Sequence, residues 1–246
     1  MKSSGDGYGE YSVFYDALHG SRAARIGRVQ ALLDAHAPKS RSVLELACGT
    51  GSILAGLHHG YEKTGLDNSP AMLRIARTKL PDAQFVEGDM ANFRLGKTFD
   101  AIFCTFNSMD HLPDFAAWER VFARAALHLA TNGVFLFDTN TISRLRTLAA
   151  HQTWSVPLAT GGQVVSTVQA LPHDVFSWHI QRIMDNGKSA ESQEVRLRTY
   201  PPDQIATALG QCLQIVDVQT APGEPVWHED AGRAYYICRQ SRPIAA

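Results

Sequence analysis

Four residues alternate through the stretch VLELACGTGSILA, residues 43–55: Glu45, Ala47, Gly49 and Gly51. An apolar run leads into a tight turn and a helix-compatible run follows it. Glycines in a strand-to-helix turn let the backbone come close to a ligand, and the helix start offers free N–H groups. Such a turn can serve a nucleoside triphosphate, a dinucleotide, a nucleoside thioether, or no ligand at all. A phosphate loop needs a lysine after its last glycine, and none follows Gly51. A dinucleotide fingerprint wants a small third residue where Leu54 stands, and leucine would hinder the close helix–strand packing there. The pattern that remains is acid-x-Ala-x-Gly-x-Gly. Two further acids, Asp67 and Asp89, each close an apolar run. Alone, a strand-end aspartate serves as readily as a helix cap or a solvated turn acid. His111, in NSMDHLPD, has an ordinary pKa near 6.5, so it suits proton acceptance at neutral pH unless it only packs the next helix.

These residues need elements to hold them. Short apolar runs at 42–47, 62–67, 83–89, 99–106 and 133–139 read as strands. Between them lie runs with helical spacing: 22–37, closed by Pro38; ILAGLHHG, stopped at Gly60; 69–80, with Ser69 as N-cap and Pro70 in the first turn; and DFAAWERVFARAALHLA. Strand–helix alternation with continuously apolar strands argues for a parallel sheet covered on both faces, with right-handed crossovers. After about residue 150 the rhythm changes. QVVSTVQA, VFSWHIQRIM and SQEVRLRTY read as strands with no helix between them, hence antiparallel, and Asn186-Gly187 signals a hairpin. On the second of these, Trp178 and Ile180 face one way with Arg182, and His179 and Gln181 the other. PPDQIATALGQC restores a helix, and LQIVDV and RAYYICRQ supply two last strands.

Composition narrows the function classes. The chain has 246 residues, 45% hydrophobic and 19% charged, enough for one sizeable α/β core with an embellishment. A net charge of -1 and the lack of a Lys/Arg run disfavour nucleic acid. Cys48, Cys104, Cys212 and Cys238 form no C-x-x-C pair and suit neither zinc nor a disulfide framework; buried thiols are expected, and no metal. No apolar run reaches the ~18 residues of a membrane span, and the N-terminal residues lack a signal-peptide pattern, so no membrane is expected and the cytoplasm is the default location.

VLELACGTG resembles the first motif of class I S-adenosylmethionine-dependent methyltransferases. Asp67 matches the acid that takes the ribose hydroxyls. VEGDM places Asp89 where the family's acid receives the adenine amino group, with Met90 flanking the ring. FDAIFCTFNSMDHL is similar to the fourth motif, and LATNGVFLFDTN to that of the fifth strand; together they span about residues 40–140. The chain departs from the pattern in two places. Ala47 stands for the first glycine, tolerable at negative φ, and Thr131-Asn132-Gly133 for Pro-Gly-Gly, where Asn accepts positive φ. SVFYDAL resembles the N-terminal helix of the family's small-molecule N-methyltransferases, whose aromatic closes over the cofactor at the position of Tyr15. The stretch 151–200 resembles the cap of glycine and sugar-amine enzymes.

The resemblance implies a Rossmann-like seven-stranded, mostly parallel sheet with helices on both faces, plus an antiparallel β cap inserted after strand five. The cofactor-binding core is 1–150 with 201–246, and the cap is 151–200. It implies S-adenosylmethionine, with S-adenosylhomocysteine as product, held by Tyr15, Glu45, Ala47, Gly49, Gly51, Asp67, Asn68, Met72, Asp89, Met90 and Thr105. Tyr11, Asn107, Ser108, Trp178, Arg198 and Tyr200 would contact a small-molecule acceptor, with Trp227 and His228 in a further lid. His111 and Tyr15 would attend the chemistry. The expected reaction is in-line SN2 methyl transfer, at nitrogen in preference to oxygen. A phenol or carboxylate O-methyltransferase, an RNA methyltransferase and a non-catalytic cofactor-binding subunit stay open, as does a homodimer.

Overall fold

The five strands read between residues 42 and 139 join the last two of the chain in one sheet. A computed structural model describes residues 12–151, 153–159, 161–220 and 231–240. Its first layer contains β1 (Ser42–Leu46), β2 (Glu62–Asp67), β3 (Gln84–Glu87), β4 (Phe99–Cys104), β5 (Leu129–Asn140), β10 (Leu213–Thr220) and β11 (Arg233–Gln240). Their order is β10-β11-β5-β4-β1-β2-β3. All run parallel except β11, which is antiparallel to both its neighbours. The order reverses between β1 and β4, the point where open α/β sheets leave a crevice beyond their carboxyl ends.

The helices cover the two faces of that sheet. They are α1 (Ser12–His19), α2 (Ala23–His36), α3 (Ser52–Gly56), α4 (Pro70–Lys79), α5 (Phe115–His128), α6 (Ile142–His151) and α7 (Pro202–Leu209). On one face Trp118 and Phe122 of α5 pack on Phe135 and Phe137 of β5, and on the other Val29 and Leu33 of α2 meet Leu54, Phe103 and Ile237. Each such side chain contributes about 1.5–3 kcal/mol by leaving water. α4 starts as its sequence dictates: the Ser69 hydroxyl accepts from Met72 N at 3.3 Å, with Pro70 in the first turn. Asp114 caps α5 through Ala117 N at 2.8 Å. Cys48, Cys104 and Cys238 are buried free thiols and Cys212 is half-buried. Among the described residues no helix is long and apolar enough to cross a membrane.

The second layer is a four-stranded antiparallel sheet, β6 (Thr153–Pro157), β7 (Gln163–Leu171), β8 (Val175–Ile183) and β9 (Ser189–Arg198), in sequential order. The Asn186-Gly187 turn joins β8 to β9, with Gly187 at φ 76°. Its inner face carries Val164, Val168, Phe176, Ile180 and Leu197, all buried.

Four elements differ from the sequence expectation. α6 and β6 were not expected, because α6 buries only Leu145 and β6 is exposed at Thr153, Trp154, Ser155 and Pro157, so neither shows a clear period. α3 ends at Gly56 rather than Gly60: Leu57 turns extended, and Gly56 lies so close to Ile26 of α2 that a Cβ would meet its Cδ1 at 2.4 Å. β5 begins four residues before Gly133, since Leu129 already pairs with Phe99 ahead of a register shift, with Asn132 at φ 65°.

Candidate functional site

A cavity of about 560 Å³ opens beyond the carboxyl ends of β1–β5 and runs under the inner face of the second sheet. Ala47 and Gly49 follow β1, Asp67 and Asn68 end β2, Asp89 and Met90 follow β3, Phe106 and Asn107 follow β4, and Asn140 ends β5.

The glycine-rich turn owes its shape to alternating left-handed residues: Ala47, Gly49 and Gly51 have φ of 54°, 54° and 69°. The expectation of negative φ at Ala47 is therefore overturned. This alanine carries the Cβ strain that a glycine would avoid, of order 1–2 kcal/mol. At Gly49 an added Cβ would find only Tyr15 within 4 Å, at 3.8 Å, so the turn leaves room on its cavity side. At Gly51 a Cβ would crowd Ala76 at 3.2 Å and Phe85 at 3.3 Å, so this glycine seats α3 against α4 rather than facing the cavity. Gly49 N donates to Asp67 Oδ2 at 2.7 Å and Ser69 N to Asp67 Oδ1 at 2.9 Å. One carboxylate thus ties the first turn to the second. Asp89 Oδ1 accepts from Ala91 N at 2.8 Å, which fixes the third turn in the same way.

Helix α1 is held over this turn by Asp16. Its Oδ1 accepts from Thr50 Oγ1 at 2.7 Å, Ser52 Oγ at 3.0 Å and Arg22 Nη2 at 3.3 Å, and its Oδ2 from Lys79 Nζ at 2.7 Å. Burial works against ionisation, but the bonds from Lys79, Thr50 and Ser52 outweigh it and hold the carboxyl below its ordinary range. That anchorage sets Tyr15 in the cavity wall, with Arg22 4.9 Å from its ring centroid; burial raises the phenol's pKa, opposed by Arg22.

Past β4 the chain takes two left-handed steps, Phe106 at φ 71° and Asn107 at 56°. Asp138 holds this bend: its Oδ1 accepts from Asn107 N at 2.8 Å, while Arg233 pairs with Oδ2 at 3.1 Å. Arg25 lies 3.3 Å over the Phe106 ring, and burial together with nearby Arg233 brings its pKa down to about 10. Its Nη1 is buried with no hydrogen-bond partner among the described residues. His111 lines the cavity from the 3-10 turn Ser108–His111, and burial lowers its pKa to about 4. It is neutral at pH 7 and accepts hydrogen bonds, but it is a weaker base than its type suggests. Preceding it, Asp110 is fully buried; burial pushes its carboxyl up to about 7 despite donors from Thr139 and Asn140.

Of the residues expected at the site, the structure brings Tyr15, Ala47, Gly49, Asp67, Asn68, Met72, Asp89, Met90, Asn107, Ser108, His111 and Trp178 to the cavity wall. Glu45, Gly51, Thr105, Arg198 and Tyr200 do not line it. Glu45 is buried behind the turn, where burial drives its carboxyl well above the ordinary range and Oε2 has no partner among the described residues. Thr105 is buried at the end of β4, and its carbonyl accepts from Ser108 Oγ at 2.8 Å. Tyr200 packs on Phe115 and Trp118 of α5, at 4.7 and 5.3 Å between centroids, and Arg198 bonds to its hydroxyl. Tyr11, Trp227 and His228 lie outside the described residues.

Sequence reasoning missed Arg25, Phe106, Asn140, Arg144, Trp154 and Arg233, all of which line the cavity. Asn140 closes the fifth-strand motif, so position alone could have flagged it; the arginines have no local pattern. On the second sheet's side, Ser166 Oγ and Trp178 Nε1 are buried without partners among the described residues, set among Val156, Val168 and Leu197. The cavity therefore has a polar compartment at the turns and an apolar one with isolated polar atoms at the second sheet. Room at Gly49, carboxylates at Asp67 and Asp89, and the unpartnered Arg25 Nη1 together fit a nucleoside bearing an amino-acid tail, the build of S-adenosylmethionine.

Residues 43–133 match the model of a family described as a methyltransferase domain. The chain is 37% identical over 135 residues to a dTDP-3-amino-3,6-dideoxy-alpha-D-glucopyranose N,N-dimethyltransferase of Streptomyces fradiae, covering 53% of either chain. It thus spans about half the length of the curated relatives it matches. Among solved structures, an S-adenosylmethionine-dependent methyltransferase from Clostridium acetobutylicum superposes with a TM-score of 0.82 at 21% identity, over 94% of this chain and 98% of that one. A sugar N-methyltransferase from a Streptoalloteichus species gives 0.75 at 26% identity, over 96% of each chain. Residues 43–133 thus resemble a methyltransferase domain, and the chain shares its fold with S-adenosylmethionine-dependent methyltransferases.

Proposed function

We propose that this chain is an S-adenosylmethionine-dependent N-methyltransferase acting on a small-molecule amine. One observation carries the reading: a single cavity joins the glycine-rich turn, Asp67 and Asp89 to a second, largely apolar compartment deep enough for an organic acceptor. The preference for nitrogen draws on the sugar-amine methyltransferases that the chain resembles.

When bound, S-adenosylmethionine supplies an electrophilic methyl group on a sulfonium. The chain's own residues do the rest by placement and exclusion of water. Asp67 and Asp89 offer carboxylate acceptors at the nucleoside end, and Arg25 an open N–H for a carboxylate. Tyr15, on the anchored α1, closes the wall beside Gly49. The second sheet and α6 form the cap over the acceptor, whose apolar skeleton lies against Val168, Trp178 and Leu197 while Ser166 Oγ and Trp178 Nε1 take its polar substituents. An amine must arrive unprotonated to attack. His111, held neutral by burial, neither repels a cationic product as an imidazolium would nor acts as a strong base.

Titration calorimetry with S-adenosylhomocysteine tests the nucleoside end. Micromolar binding is expected, weakened about a hundredfold in Asp67→Ala by loss of charge-assisted hydrogen bonds worth about 3 kcal/mol together. Turnover is then measured on dTDP-amino sugars, simple amines, phenols, carboxylates and bulk RNA. Methylated amine alone supports the reading; methylated phenol, carboxylate or RNA replaces it, and binding without turnover on any member points to a non-catalytic subunit.

A further inference from the structure

Asp110 is 0% exposed, yet three donors converge on it. Thr139 Oγ1 donates to Oδ1 at 2.5 Å, and Asn140 donates to Oδ2 twice, from its backbone N at 3.1 Å and from Nδ2 at 2.8 Å. The Asn140 backbone carbonyl is taken as well, accepting from Thr199 Oγ1 at 2.6 Å. Every polar atom of Asn140 but one is therefore fixed from behind. The exception is Oδ1. Asn140 lines the cavity at the end of β5 and is bonded to Asp110 of the 3-10 turn that also carries His111. An ionised carboxylate accepts and cannot donate, so it admits only the NH₂ end of the amide; a flipped amide would set oxygen against oxygen. The open acceptor is thus aimed into the cavity by a residue that does not itself reach it.

We propose that Asn140 Oδ1 accepts an N–H hydrogen bond from the nucleophilic amine, and that Asp110 is the positioning residue that keeps this oxygen turned toward it. The inference rests on the amine-methylating reading above and adds the group that orients the nucleophile. With one N–H tied to Oδ1, the nitrogen has its lone pair free to point elsewhere in the cavity. As nitrogen bonds the methyl carbon, the electron pair of the breaking C–S bond passes to sulfur and the positive charge moves to nitrogen. Its N–H becomes a stronger donor, so the bond to Oδ1 is tighter in the transition state than before it, which is the condition for raising kcat. The surplus proton leaves to water after the ammonium product departs.

The test uses the full chain at pH 8, where Asp110 is ionised, with the most active panel amine. Calorimetry of S-adenosylhomocysteine is expected to give the wild-type Kd within threefold for Asn140→Ala, Asn140→Asp and Asp110→Asn. In Asn140→Ala kcat is expected to fall about a hundredfold, the scale found for a lost transition-state hydrogen bond, with KM within threefold. Asn140→Asp, sharing a proton with Asp110, keeps an oxygen facing the cavity and is expected to recover at least tenfold over alanine. Asp110→Asn lets the Asn140 amide rotate, which the ¹⁵N shift of its side chain reads directly: wild type shifts when amine is added to the S-adenosylhomocysteine complex, and the variant does not. If Asp110→Asn fails to fold, the two Asn140 variants and the wild-type amide shift decide alone. Retention of kcat within threefold in Asn140→Ala, aspartate no better than alanine, or an amide shift indifferent to amine overturns the inference while the amine reading stands. If the wild type turns over no amine, the amine reading falls and takes this inference with it.

Discussion

At the end of the cavity built by β1, β2 and β3, the backbone sets the shape. Three left-handed residues, three turn amides and two strand-end carboxylates fix it within some forty residues of chain. At the other end, Arg144, Trp154, Ser166, Trp178 and Leu197 come from α6 and all four strands of the second sheet, and only side chains define the surface. The first end ties its turn amides to Asp67 and Asp89 before any ligand enters; the second leaves Ser166 Oγ and Trp178 Nε1 without partners among the described residues. On the function proposed above, the cofactor meets a frame encoded within one stretch of chain, and the acceptor meets a surface assembled from side chains of α6 and the second sheet.

Substitutions at the two ends should therefore separate cleanly. The largest effect beyond Asp67→Ala belongs to His111, where the two ends meet. Burial lowers its pKa from 6.5 to about 4, so the unfolded chain binds the proton first and stability is lost as pH falls across that interval. Urea unfolding from pH 7 to pH 4 should show the wild type losing about 3 kcal/mol relative to His111→Gln. Asp110 titrates with the opposite sign, its stabilisation lost as pH rises toward about 7, but it is common to both proteins and drops out of the difference. A flat difference would mean that His111 is open to water and belongs to neither wall.

Next comes Gly51→Ala. The φ of 69° and the contacts at 3.2 and 3.3 Å predict a loss of about 2 kcal/mol, a fall in Tm of roughly 5 °C. Equal stability would show that the backbone frame is softer than drawn. Trp178→Ala acts at the opposite end: acceptor KM should rise about tenfold, about 1.4 kcal/mol, with S-adenosylhomocysteine affinity unchanged by calorimetry. Coupled losses in both would erase the division between the ends. Smallest, and of opposite sign, is Ala47→Gly, which relieves a left-handed Cβ and should stabilise by about 0.5 kcal/mol in the same melts.

How much of this could be read in the sequence follows the same division. VLELACGTG, Asp67 and VEGDM are local signals because the backbone needs particular residues at particular steps, and each lines or supports the cavity. The five parallel strands were legible because two-sided burial demands continuous apolar runs. Ala47 misled, since nothing in an alanine announces positive φ. Arg198 and Tyr200 were expected at the pocket from the resemblance alone; Tyr200 lies past the end of β9 and packs on the α5 aromatics, which no local pattern announces. Arg25, Asn140 and Arg233 are brought together from positions more than ninety residues apart, and only the folded sheet can do that.

Asp16 has a consequence for time rather than for shape. Four donors, from the glycine-rich turn, the start of α3, the residue before α2 and the end of α4, meet on its single carboxylate. The first helix cannot loosen one contact at a time, because each helps hold the charge that the others use. Its undocking is then all-or-none, and the residence of whatever lies beneath should decay as one exponential, shortened sharply in Asp16→Asn.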